Sequence, residues 1–324
     1  MMLWLGVLIG LLVLGVLGAL VLFTAYTARR VDADLPPLGR FVEVGGARIH
    51  YLERGTGPTL LLIHGLAGSM RNFTHSLVDR LAGEFRVVVM DRPGSGESAR
   101  DPGACVRLAS QAETVSAFIS ALELDRPVLV GHSLGGAVAL AVALDYPEQV
   151  RGLALVAPLA NVQETVPVVF EKLLIRSRML RSLAAWTVAT PASMLRRARV
   201  LDTIFGPDPI PQDFATAGGG LLSLRPKSFC AASEDLVALS DELPALSALV
   251  ERYPDLRLPV GILYGKGDRV LDHRLHGIAA AAKINGCELE LVEGGHMLPL
   301  TAPDHVAAFV RRVAEKSEIV GGKA

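Results

Sequence analysis

One stretch constrains the fold of this chain more than any other: Val128-Leu129-Val130-Gly131-His132-Ser133-Leu134-Gly135-Gly136-Ala137-Val138-Ala139-Leu140, a hydroxyl between glycines with strand formers before it and helix formers after it. Glycines two positions before and two after Ser133 let the backbone cross itself tightly, so Ser133 Oγ projects from the carboxyl end of a strand. The helix that follows aims its N-terminal amides at the same place. Strand, sharp turn and helix together read as a nucleophile elbow; a chance glycine-rich turn would not need the flanking elements.

Such an elbow needs a sheet to carry it. Short, mainly apolar runs at 59–63, 85–90, 127–130, 150–156, 259–264 and 288–292 alternate with longer helical patterns, among them 112–124 and 136–145. Parallel strands covered on both faces have this pattern, which predicts an α/β fold with a mostly parallel, doubly wound sheet. Ahead of it, 40–44 and 47–52 alternate apolar and polar residues around Gly45-Gly46, as a β-hairpin does. Between Val156 and Pro259 the periodicity is helical with no convincing strand, which marks an inserted helical cap. The expected organisation is an anchor at 1–30, a linker at 31–39 around Pro36-Pro37, a core at 40–158 and 257–316, a cap at 159–256 and a flexible tail at 317–324.

Composition narrows the function. With 324 residues, 51% of them apolar, the chain can bury a large core, and a formal net charge of −1 gives no basic surface for nucleic acid. No Lys/Arg run exceeds a pair, and Cys105, Cys230 and Cys287 form neither a CxxC spacing nor an even set. No metal, organic cofactor or nucleic acid is implied. The N-terminus is the compositional anomaly: 1–28 carries no charge and Leu3 to Phe23 is almost wholly Leu, Val, Gly and Ile, long enough to span a bilayer. A cleaved signal peptide would carry a basic residue ahead of a shorter apolar core, so an uncleaved transmembrane anchor is expected. Arg29 and Arg30 follow directly, which predicts that this end, and the globular part beside it, stay in the cytoplasm.

A serine hydroxyl is a poor nucleophile until a base takes its proton, so a histidine and an orienting carboxylate are needed further along. Asp268, in Gly265-Lys266-Gly267-Asp268, follows one predicted strand, and His296, after Gly294-Gly295, follows the next. Both belong on loops at the sheet edge that carries Ser133. Asp268 also suits an ordinary turn, whereas the paired glycines before His296 have no evident packing purpose. His50, His75, His273, His276 and His305 read as structural or solvated, and His132 as core packing. An oxyanion hole needs two backbone N–H groups: Leu134, next after the nucleophile, and Leu66, or else Ala67, in the glycine-rich loop after the strand at 59–63.

The order HGLAGS at 64–69, DRPGSGES at 91–98, GHSLGG at 131–136, GKGDRV at 265–270 and GGHMLPLTAP at 294–303 resembles the α/β-hydrolase superfamily over about Arg40 to Lys316. The resemblance implies an α/β-hydrolase fold and a triad of Ser133, Asp268 and His296. It assigns Asp91 to Ser98 to a structural turn without chemistry. Ser133 disfavours the haloalkane dehalogenase and epoxide hydrolase branches, which carry Asp there. The anchor and the 265–272 segment resemble membrane-anchored monoacylglycerol lipases and capped esterases.

The expected activity is hydrolysis of carboxylic esters with apolar acyl or lipid groups. A carbon–carbon bond hydrolase on a vinylogous diketone, a non-heme peroxidase-like activity and an inactive scaffold stay open. Between Val168 and Val200 the cap carries Lys172, Arg176, Arg178, Arg181, Arg196, Arg197 and Arg199 against Glu171, interleaved with Phe170, Leu173, Leu174, Leu180, Leu183 and Trp186. That segment either rests on an anionic leaflet or is simply solvated; its charges do not segregate to one helical face.

Overall fold

The structure, a computed structural model, describes residues 2–101, 103–163 and 165–321; Met1 of the expected anchor and the end of the tail, 322–324, lie outside the described residues. Helix α1 (Met2–Asp34) is long and apolar enough to cross a membrane. Its 33 residues make a rod of about 50 Å, where the hydrocarbon core of a bilayer needs only about 30 Å. The excess is the C-terminal part, and there the helix turns inward: Thr24, Thr27 and Val31, on one face, are buried, while the apolar residues before them are exposed. The expected boundary at 30/31 therefore falls inside the helix. What remains of the linker is 35–39, and even its Leu35 is buried with Val31 against Leu222 of the cap.

Among the described residues nine strands form one sheet: β1 (Arg40–Val44), β2 (Ala47–Arg54), β3 (Thr59–Ile63), β4 (Arg86–Met90), β5 (Ala99–Arg100), β6 (Val128–His132), β7 (Gly152–Val156), β8 (Val260–Gly265) and β9 (Glu288–Val292). Their order is β1-β2-β4-β3-β6-β7-β8-β9, with the two-residue β5 beside β2. The first hairpin is antiparallel, turning at Gly45 (φ 56°) and Gly46 (φ 76°), a left-handed pair suited to a tight two-residue connection. From β4 to β9 every pairing is parallel. Leu60, Leu61, Leu62 and Ile63 have no exposed surface, and each contributes about 1.5–3 kcal/mol by its burial.

Helices α2 (Arg71–Thr74), α3 (Leu77–Leu81), α4 (Leu108–Ala121) and α5 (Leu134–Asp145) follow in the first half of the core. The cap supplies α6 (Arg178–Trp186), α7 (Ala189–Phe205) and α8 (Pro226–Asp241); then come α9 (Leu243–Glu251), α10 (Ala279–Lys283), α11 (Leu298–Thr301) and α12 (Pro303–Gly321). Helices α4 and α5 cover one face of the sheet, α3 and α12 the other. The 317–321 part of the expected tail is thus the last turn of α12. Likewise α9, inside the expected cap, buries Leu246, Leu249 and Val250 in the main core.

Register sets the site. β3 and β6 are aligned so that Ile63 faces Gly131, which brings the loop after β3 beside Ser133. β8 and β9 are aligned so that Gly265 faces Val292, so the loops carrying Asp268 and His296 leave the sheet together. The cap lies over this edge and is locked to the core by buried ion pairs. Arg92 Nη1 donates to Asp235 Oδ2 of α8 over 2.8 Å, and both side chains are essentially unexposed. Removing one partner of such a pair costs about 3–5 kcal/mol, because the other is left buried and uncompensated.

Candidate active site

Ser133 sits at φ 56°, ψ −122°, between β6 and α5. A non-glycine residue held there costs on the order of 1–3 kcal/mol and persists only when its surroundings enforce it. They do: Ser133 N–H donates to Val156 O over 3.2 Å, and Ser133 O accepts from Gly136 and Leu159, each over 2.9 Å. The glycines are a steric requirement, since a Cβ on Gly131 would stand 2.7 Å from Gly135 O, and one on Gly135 only 2.1 Å from Ile63 O. Gly65 does the same service from the opposite loop, where a Cβ would come within 2.8 Å of Ser133 Cβ.

The other two predicted residues meet. His296 Nδ1 lies 2.7 Å from Asp268 Oδ2, and the Asp268 side chain is unexposed. Its second oxygen accepts from the amides of Val270 (2.7 Å) and Leu271 (3.0 Å). Burial of Asp268 opposes its ionisation, but His296 and these two amides outweigh burial and hold the carboxyl below the ordinary aspartate range. An ionised Asp268 accepts a hydrogen bond from His296 Nδ1–H, so Nε2 is the ring nitrogen left to accept a proton. Ser133 and His296 line one cavity of about 960 Å3 between core and cap.

Three positioning contacts depart from the sequence reading. The paired glycines before His296 have a packing purpose after all: a Cβ on Gly295 would stand 2.5 Å from Gly206 O of the cap, and Gly265 is equally close to Gly294 O. Gly295 N–H also donates to Asp208 Oδ2 of the cap over 2.8 Å, as does the Thr301 hydroxyl over 2.9 Å. His132 is more than packing, because its Nε2 donates to His296 O over 3.0 Å and the two rings lie 4.9 Å apart. Burial, and then the neighbouring His296, lower its pKa to about 3, so it is neutral.

The Asp91–Ser98 turn, expected to be purely structural, holds the loop opposite the serine. Arg92 donates through Nε to His64 O and through Nη2 to Gly65 O, each over 3.0 Å. The trans peptide sends the Leu66 N–H in the direction opposite to the Gly65 carbonyl that Arg92 holds. Asp91 accepts from Met70 N–H over 2.7 Å and pairs with His50 over 2.8 Å. Among the described residues neither Leu66 N–H nor Leu134 N–H has a backbone acceptor; both residues line the cavity with Ser133. Ala67, the other candidate, is at φ 54°.

The basic segment of the cap is depleted by its own acids. Arg181 is buried and paired with Glu234 (2.8 Å), and Arg176 is paired with Asp241 (2.6 Å), so the expected group of seven free cations is smaller.

Residues 58–204 match the family described as the alpha/beta hydrolase fold. An uncharacterised protein of Mycobacterium tuberculosis is 30% identical over 295 residues, covering 90% of this chain and 85% of its own. Haloalkane dehalogenase 2 of the same organism is 27% identical over 303 residues, 86% of this chain and 96% of its own. Among solved structures, that of a membrane phospholipase A, described as a bacterial virulence factor, is 27% identical with a TM-score of 0.63, covering 97% of this chain and 99% of that one. The chain belongs to the α/β-hydrolase superfamily, and its relatives support a hydrolase activity.

Proposed function

We propose that the chain is a serine hydrolase of carboxylic esters with apolar acyl or lipid groups, held at a membrane by α1. The observation that carries the reading is the pairing of Asp268 with His296 beside a serine on an enforced left-handed turn, at the floor of a cavity walled mainly by Leu, Val, Ala and Phe. Ser133 Oγ attacks the ester carbonyl carbon while its proton passes to His296 Nε2. The amides of Leu66 and Leu134 receive the carbonyl oxygen as it becomes charged, a contribution of about 3–4 kcal/mol per donor in acyl transfer. The intermediate collapses, His296 returns the proton to the leaving alcohol, and Ser133 holds the acyl group. Water, deprotonated by His296, then attacks the acyl carbon, and Ser133 leaves with the proton.

The test is labelling with a fluorophosphonate probe, expected for the wild type and absent in Ser133→Ala. Hydrolysis of p-nitrophenyl esters of increasing chain length reads the acyl preference. A rate that falls steadily with chain length, or labelling that survives Ser133→Ala, overturns the reading.

A further inference from the structure

The cavity is charged in one direction. Among the described residues its wall includes Lys172, Arg196 and Arg197 and no Asp or Glu. These three cations come from two separate elements, the turn at Glu171–Leu173 and helix α7. All three are solvent-exposed although they border the cavity, whereas Ser133 is 9% exposed at its floor. They therefore stand at the mouth. Elsewhere several cations of the cap are neutralised: Arg176 meets Asp241, Arg181 meets Glu234, and Arg225 meets Glu97 and Asp32; Arg178 and Arg199, which do not line the cavity, have no ion pair among the described residues. Among the described residues Lys172, Arg196 and Arg197 have no acidic partner within ion-pair distance.

The interior has the opposite character. Phe170, Leu159, Leu236, Leu246 and Val270 form apolar wall on the way to Ser133. A ligand that satisfies both ends is amphiphilic, with a hydrocarbon part inward and an anion outward. Arginine is suited to that outer anion, because its planar donors match a phosphate in pairs and are less strongly hydrated than an ammonium.

Resting on the ester-hydrolase reading above, we propose that the site takes amphiphilic esters whose outer end carries a phosphate group, bound at the cavity mouth by Lys172, Arg196 and Arg197. The acyl chain lies along the apolar wall, the scissile carbonyl reaches Ser133, and the phosphate stays in the wet mouth. Neutral glycerol esters then bind more weakly, and the difference falls in KM, since the anion is distant from the reacting atoms.

The experiment uses the full chain in micelles of a non-ionic, phosphate-free maltoside detergent. Hexyl phosphate, a monomer in water, is titrated calorimetrically against hexyl glucoside, its neutral counterpart, with empty micelles subtracted. Hexyl phosphate is expected to bind about tenfold more tightly, the order of one or two charge-assisted hydrogen bonds, and Arg196→Gln with Arg197→Gln to abolish the difference without lowering Tm. Equal binding of the two ligands in the wild type, or a preference that survives the double substitution, overturns the proposal. So does binding of anionic vesicles by a chain that ignores hexyl phosphate, since the cations would then serve the leaflet. Because the readout is binding, a failure of ester turnover strikes only the hydrolase reading. For a turning-over enzyme, 1-hexanoylglycerol 3-phosphate is expected to show a KM about tenfold below that of 1-hexanoylglycerol, with the gap closed in the double variant.

Discussion

Ser133, Asp268 and His296, the proposed triad, could be singled out from the chain because each announces itself locally: glycines enforce the elbow, and the strand before each loop fixes its edge of the sheet. The residues that position them do not. Arg92 holds the loop opposite the serine through Asp235, a residue 143 positions away, and Asp208 reaches Gly295 across 87 positions. No local pattern encodes such partners. The Asp268 carboxylate fixes the His296 tautomer, so Asp268→Asn is expected to lower kcat by about 10⁴ while circular dichroism and Tm change little. Full activity in that variant would shift the orienting role to another carboxylate. Asp208, a cap carboxylate beside the His296 loop, already accepts from Gly295 and Thr301.

At the scale of elements, the runs gave six strands within two residues of their observed ends; five follow from the apolar signature of a parallel strand buried on both faces, and the sixth, β9, is only half-buried and carries Glu288 and Glu290. Helix ends were less legible. The end of α1 was masked by Arg29 and Arg30, which close the apolar segment but continue the helix for another turn, to Asp34. That turn is bound to the catalytic half of the molecule: Arg225, buried, pairs with Asp32 (3.0 Å) and Glu97 (2.5 Å), and Arg71 Nη2 donates to Pro36 O over 2.7 Å. Anchor and fold therefore separate at Phe23 rather than at Arg30. Deleting residues 2–23 is expected to release the protein from carbonate-washed membranes with its ester turnover kept. Deleting 2–37 removes Val31 and Leu35 from the cap and leaves Arg225 one acid short; its Tm is expected to fall by several degrees, with a loss of turnover. Equal stability of the two truncations by thermal unfolding would show that the junction only tethers.

For the molecule as a whole, the loops around Ser133 and the junction to the cap are held partly through histidines that are neutral by burial. Burial, and then Arg92, lower His64 to a pKa of about 4, and burial lowers His276 to about 4; burial and then His296 lower His132 to about 3. The hydrogen bonds that His64 and His276 accept require the neutral ring. His64 Nε2 accepts from Arg92 N–H over 3.0 Å, and His276 Nδ1 accepts from Ala160 N–H (3.2 Å) and Asn161 N–H (3.1 Å), where the chain leaves β7 for the cap. In the unfolded chain the same rings titrate near 6.5. Below that value the unfolded state binds protons that the folded state refuses, so the stability these groups contribute is complete above pH 6.5 and is lost as pH falls toward about 4 and then 3. Each unit of the gap is worth about 1.4 kcal/mol per group, which makes the full loss across the three rings on the order of 10 kcal/mol. Asp91 and Asp268, whose folded values lie below the ordinary 3.8, add to the loss only in more acid solution. The urea midpoint, followed by fluorescence in detergent, is therefore expected to fall steadily between pH 7 and pH 4.5, and His276→Gln to give a shallower fall than the wild type. A midpoint that stays level from pH 7 to pH 5 would mean that these rings are charged in the folded protein, and that the backbone bonds at the cap junction are made some other way.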